Sequence, residues 1–388
     1  MAENLFNRLC ILRNLLKDEV FGAYNEYLSD GGDNFYGFLN KLYESGYENN
    51  FRAYIQKIIL TDDNAFARSL ASRKNPSRYL KSAYLQDLAL INGAIASTET
   101  RGKFSLGEYT LPLEDTKENV FKFLADFYAE NGYGKFIENA AFTFENGGLV
   151  PVKNAVKINL AELKDYTEEK QAIDANISAF INNLPCSNML LYGDKGTGKS
   201  STVHAMLNKY SKKGLRLIEL NTRNMVEIPA VVSVLEGVPL KFILFIDDLA
   251  LSENDEKITA LKTALEGSVS GGAGNVMIVA TSNRRHIVKE NFSDRQNAVH
   301  ERDIMEEQLS LSDRFGLTVM FSSTNKEEYL SIVSQLAKDA GILALEGNEL
   351  SSLAERWALV KGGRSPRRAK QFVDFVYSRL KLGVKIDF

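Results

Sequence analysis

Cysteine is scarce. The 388 residues hold two, Cys10 and Cys186, far apart and in no ligand spacing, which excludes a disulfide framework and a cysteine-based zinc site and fits a reducing cytoplasm. A charge bias is also missing: 47 Lys and Arg face 50 Asp and Glu, for a formal net charge of -3. No global attraction to nucleic acid or to an anionic membrane follows, although a local basic patch stays open. No apolar run approaches the length needed to span a bilayer. The first sixteen residues break their apolar pattern with Glu3, Arg8 and Arg13, so they read as an amphipathic helix and not as a signal peptide. With 44% hydrophobic residues, the chain has material for two or three full-sized cores.

What the chain does have is one dense motif, Gly193-Asp194-Lys195-Gly196-Thr197-Gly198-Lys199-Ser200, followed by Ser201. It has the G-x-x-x-x-G-K-S spacing of a phosphate-binding loop. The glycines let successive backbone N–H groups turn inward toward phosphate oxygens, and the positive end of the following helix adds to that attraction. Lys199 would reach the β- and γ-phosphates of ATP, and the Ser200 hydroxyl would hold Mg²⁺. The flanks agree: Met189 to Tyr192 is a short apolar run, as a buried parallel strand should be, and Val203, Met206, Leu207 and Tyr210 recur at helical spacing.

Further strand candidates follow. Leu215 to Leu220 is one, and Lys241 to Ile246 is another, ending in Asp247 and Asp248. Two acids there suit a helix cap or a surface turn, but after a phosphate loop they read as the second half of the site. Asp247 would hold Mg²⁺, mainly through its water shell, and Asp248 would orient or polarise the attacking water. Gly267 to Gly274 reads as a loop after a helix over Lys257 to Leu265. The next strand, Val276 to Ala280, leads into Thr281-Ser282-Asn283, where an Asn at a strand's carboxyl end is placed to meet the γ-phosphate or the water, or else to form an Asx turn. Arg284, Arg285, His286 and Lys289 form a basic run, read as a solvated face or a contact for a nucleic acid or an acidic partner. Arg314 precedes a fifth strand, Leu317 to Phe321. It reads as an arginine finger reaching a neighbouring subunit, or as an ion-pair partner of Asp313 or Glu307.

Around this core, the first 131 residues are mostly helical, with segments over Phe35 to Tyr43, Phe51 to Leu60, Arg78 to Ala96 and Lys117 to Glu130. Their many aromatics favour a core over base stacking. Thr98 to Pro112 reads as a loop or small hairpin, and Ala141 to Val152 as a hairpin or linker. Ile158 to Tyr166 leads into a helix over Glu169 to Asn183. From Asn325 onward the pattern is helical again: Asn325 and Glu328 form a capping box, and Ser365-Pro366 opens a last helix with Arg367 in its first turn, where it would fold over the phosphates.

In order, these pieces resemble the AAA+ superfamily of ATPases over about Ile158 to Leu382. The resemblance makes Gly193 to Ser200 Walker A, Phe242 to Asp248 Walker B, Asn283 sensor 1, Ser312 to Gly316 the finger region and Arg367 sensor 2. The second acid is more often Glu in such ATPases, and the shorter Asp248 implies slow hydrolysis. The segments from Asn188 to Ser201, Ala280 to His286 and Leu311 to Gly316 are also similar to a bacterial AAA+ family known as domain of unknown function 815. No chemistry attaches to His286.

The expected architecture is α/β: a helical N-terminal domain with a β-rich linker over 1–150, a nucleotide-binding core with a parallel five-stranded sheet over 151–324, and a helical lid over 325–388. The expected function is ATP hydrolysis with Mg²⁺ by a homo-oligomer assembled through Arg314, remodelling or loading a protein or nucleic-acid partner. A nucleotide-dependent binding switch with little hydrolysis is the alternative. No membrane partner is expected.

Overall fold

A computed structural model describes residues 5–30, 34–102, 105–153, 156–249, 256–269, 274–283, 313–342 and 347–386. The basic run from Arg284 to Lys289, and the part of the finger region before Asp313, lie outside these residues. The chain divides into two compact units, Met1–Asn139 with Gly237–Leu240, and Ala140–Glu236 with Lys241–Phe388.

The first unit contains α1 (Glu19–Ser29), α2 (Phe35–Glu44), α3 (Phe51–Thr61), α4 (Ala65–Ala71), α5 (Arg78–Gly102), α6 (Lys117–Asn131) and α7 (Lys135–Glu138). Phe38 and Phe51 are fully buried and meet edge to face, with ring centroids 4.8 Å apart, so the aromatics do fill a core. The N-terminal segment departs from the expected amphipathic helix: it forms two 3₁₀ turns, Leu5–Arg8 and Arg13–Lys17. The buried carboxylate of Asp87 on α5 accepts the backbone N–H groups of Cys10, Ile11 and Leu12. Donors that a helix would have used are satisfied by a distant side chain, while Leu9, Leu12 and Leu15 still bury their apolar groups.

The second unit carries β1 (Ala141–Glu145), β2 (Gly148–Pro151), α8 (Thr167–Ile181), β3 (Met189–Gly193), α9 (Lys199–Tyr210), β4 (Leu215–Leu220) and α10 (Ile228–Leu235). It continues with β5 (Lys241–Ile246), α11 (Glu256–Val269), β6 (Val276–Ser282), β7 (Leu317–Phe321), α12 (Lys326–Asp339), α13 (Asn348–Val360) and α14 (Pro366–Lys381). Helix α11 runs past Gly267, where the sequence had suggested a loop.

The sheet has seven strands among the described residues, in the order β2-β1-β4-β5-β6-β3-β7, rather than the five expected. The difference is the hairpin β1–β2. Its first strand pairs in parallel with β4, with Ala141 opposite Leu217, and its second returns antiparallel, so the sheet is mixed. The five strands from β3 to β7 are parallel, and every residue of β6 is buried, as covered parallel strands require. One sheet face packs Met189, Leu191, Ile243, Phe245 and Val279 against Ile173, Ile177 and Phe180 of α8 and Val203 and Met206 of α9.

The last three helices form their own small core around Tyr329, Val333, Trp357, Phe372 and Val376. The capping box at Asn325 is present with both bonds at 2.9 Å, and Ser365 caps α14 ahead of Pro366. No helix among the described residues is long and apolar enough to cross a membrane.

Candidate nucleotide site

The strand order sets the geometry. β6 lies between β3 and β5, so the carboxyl end of β6 stands between the phosphate loop that follows β3 and the two aspartates that follow β5. Ligands gather at such carboxyl rims because loops and helix N-termini diverge there.

The loop leaves β3 at Gly193, with φ of +135°, and a Cβ there would lie 1.9 Å from the Phe321 carbonyl oxygen. Only glycine allows β7 to approach this closely. Gly196, with φ of +82°, faces the start of α14: its carbonyl accepts the Arg367 N–H at 3.2 Å, and a Cβ would crowd the Arg367 Cβ at 3.3 Å. Thr197 is buried, and its hydroxyl ties to the Asp194 carbonyl at 2.8 Å.

Lys199 is only 7% exposed. Its ammonium donates to the Gly193 and Asp194 carbonyls, both at 2.8 Å, and approaches Asn283 Oδ1 at 3.5 Å. Burial pushes its pKa below the usual lysine value, opposed by the charges of Asp194, Asp247 and Asp248. A phosphate group would supply the negative charge that this buried cation needs.

The Ser200 hydroxyl donates to Asp247 Oδ1 at 2.6 Å. Asp247 and Asp248 stand exposed just past the buried run Phe242 to Ile246. The Asn283 side-chain amide donates to the Asp248 carboxylate, joining the two groups expected to handle the attacking water. Lys199, Ser200, Asp247, Asp248, Asn283 and Arg367 thus line one cavity of about 550 Å³, as do Lys195, Gly196, Thr197, Gly198 and Ser201 of the loop. Gly193 and Asp194 meet the site through their carbonyls, which hold Lys199.

The cavity is also lined by Tyr166 from the segment before α8, Ile332 and Leu336 of α12, and Gln371 of α14. Tyr166 is fixed there by its hydroxyl, which donates to the Ser322 carbonyl at 2.6 Å.

Arg314 does not join this cavity. Its guanidinium pairs with Glu266 of α11 at 2.7 Å, and among the described residues its Nη1 lies buried without a hydrogen-bond partner; the expected partner Glu307 lies outside those residues. Thr281, not singled out from the sequence, touches both aspartates. Its only sequence signal was its place two residues before Asn283.

A family model described as "Protein of unknown function (DUF815)" matches residues 137–380. No curated protein matches the chain significantly. Among solved structures, the Holliday junction branch migration motor RuvB of Thermotoga maritima is similar at 17% identity and a TM-score of 0.39, over 58% of this chain and 66% of that one. The chain therefore covers just under two thirds of the motor. The AAA domain of FIGL-1 in complex with ADP is similar at 17% identity and a TM-score of 0.38, over 60% of this chain and 78% of that one. Likeness at this level carries no inference about activity. The family match takes in the hairpin, every motif of the cavity and nearly all of α14, more than half of the residues, and the chain belongs to the DUF815 family.

Proposed function

We propose that the chain binds Mg-ATP at the carboxyl rim of the sheet and hydrolyses it as an AAA+ ATPase, driving the remodelling or loading of a macromolecular partner. The observation that carries this reading is the convergence of Lys199, Ser200 and Asp247, from two loops 47 residues apart, with a 2.6 Å contact between the last two. The donor set fits magnesium, since Ser200 Oγ and Asp247 Oδ1 are hard oxygens of the kind that ion takes together with waters and phosphate oxygens. Bound there, the ion would offset charge on the β- and γ-phosphates.

The protein's own groups would do the rest. Lys199 holds the phosphates, Asp248 and Asn283 position water for in-line attack, and Arg367 folds over the phosphates from α14, whose helical group α12–α14 acts as a lid. Arg314 acts in trans, which makes hydrolysis depend on a homo-oligomer. A switch with little hydrolysis is the second reading, favoured by the Asn283 amide, which donates to the Asp248 carboxylate.

Phosphate release from Mg-ATP tests the choice. Asp248→Asn is expected to keep ATP binding and to lower turnover by about 100-fold or more, the range of a lost general base. Asp248→Glu, whose carboxylate reaches one methylene further past Asn283, is expected to raise turnover above the wild-type rate. An unchanged or lower rate for Asp248→Glu would count against reach as the limit. No phosphate release by the wild type while ATP is bound would leave the switch.

A further inference from the structure

We propose that Thr281 is the positioning residue of the two carboxylates, through a single hydroxyl that aligns Asp247 and holds the turn at Asp248. This rests on the nucleotide reading of the site and names the residue on which its geometry depends.

The register brings it there. Ile246 of β5 is opposite Ala280 of β6, so the next residue on each chain, Asp247 and Thr281, face each other where β5 ends. Thr281 is 2% exposed, and its hydroxyl has two partners. It accepts the backbone N–H of Asp248 at 2.9 Å and lies 2.5 Å from Asp247 Oδ1. A hydroxyl has one proton. The N–H occupies a lone pair and an ionised carboxylate can only accept, so that proton goes to Asp247.

Two consequences follow. First, Asp247 Oδ1 receives hydrogen bonds from both Thr281 and Ser200, which fix the carboxylate's plane before any ligand arrives. Second, Asp248 has φ of +52°, a left-handed conformation that a non-glycine residue adopts only when its surroundings hold it. The Thr281 hydroxyl takes the Asp248 N–H, the Thr281 carbonyl takes the Leu249 N–H at 2.7 Å, and the Ser282 hydroxyl donates to the Leu249 carbonyl at 3.0 Å. The end of β6 therefore clasps the turn and aims the Asp248 side chain toward Asn283.

Thr281→Val keeps shape and strand preference while deleting the hydroxyl, and Thr281→Ser keeps the hydroxyl. The test titrates Mg²⁺ into the full chain with a fluorescent ATP analogue, reading uptake and, separately, phosphate release. Thr281→Val is expected to need about 10- to 100-fold more Mg²⁺ for half-maximal uptake and to turn over more slowly by a similar factor, the usual cost of losing a group that orients a metal ligand. Uptake without Mg²⁺ should be unchanged, and Thr281→Ser should stay within a few-fold of the wild type on both readouts. If Thr281→Val does not fold, Thr281→Ala against Thr281→Ser makes the same comparison. A hydroxyl-free variant with wild-type Mg²⁺ dependence and turnover, or a serine variant with the same deficit as valine, would overturn the role of Thr281 alone. No Mg²⁺-dependent uptake by the wild type would overturn the nucleotide reading and this role together.

Discussion

Lys199→Ala is expected to lower ATP turnover by roughly 100- to 1,000-fold, the effect of removing one preorganised donor from a developing phosphate charge, and to weaken Mg-ATP binding as well. The reason lies in how the protein holds this side chain. Its ammonium is buried against two backbone carbonyls, and that burial depresses its pKa. A cation kept under these conditions costs the fold something, because desolvation is only partly offset by neutral acceptors and the nearby carboxylates. The alanine variant should therefore melt without nucleotide at or near the wild-type temperature while losing the stabilisation that Mg-ATP gives the wild type. Thermal melts with and without Mg-ATP, alongside turnover, check both halves. A variant that melts early yet keeps turnover would make Lys199 a structural residue.

Arg314→Ala should have the larger effect on rate. An arginine supplied to a transferring phosphoryl group is worth about 10³ to 10⁵ in turnover. Within one chain Arg314 is outside the nucleotide cavity and paired with Glu266, with side-chain exposures of 32% and 57%. Ion pairs this exposed contribute little, so an assembly could exchange this one for a phosphate contact at small cost. The expected pattern is loss of turnover in Arg314→Ala with ATP binding per chain retained, and a wild-type specific rate that rises with protein concentration where the variant's does not. Equal rates for the two proteins, with a lower melting temperature for the variant, would confine Arg314 to its bond with Glu266.

Much of the candidate site was legible because its signals are local. Apolar runs ending in Gly193 and Asp247 mark buried parallel strands, and the glycine spacing of the loop is set by close approaches such as that of Gly193 to Phe321. Capping residues at Asn325 and Ser365 marked their helix starts for the same reason. What was not legible depended on partners far along the chain. Asp87 takes N–H groups some 75 residues away and replaces an expected helix with 3₁₀ turns. The hairpin at Ala141 was visible, but not its pairing with Leu217, which brings the sheet to seven strands. Arg314 pairs with Glu266 of α11, 48 residues earlier, which no local pattern reveals. Thr281 acquires its role only from the register of β6 against β5, which neither strand's own pattern reveals.

Calorimetric titration of the full chain with ATP, in the presence of Mg²⁺ and again with a chelator, tests the central claim most directly. Saturable uptake of one ATP per chain, weakened by the chelator and by Asp247→Asn, is expected from the convergence of Lys199, Ser200 and Asp247. Absence of uptake at millimolar Mg-ATP would contradict it.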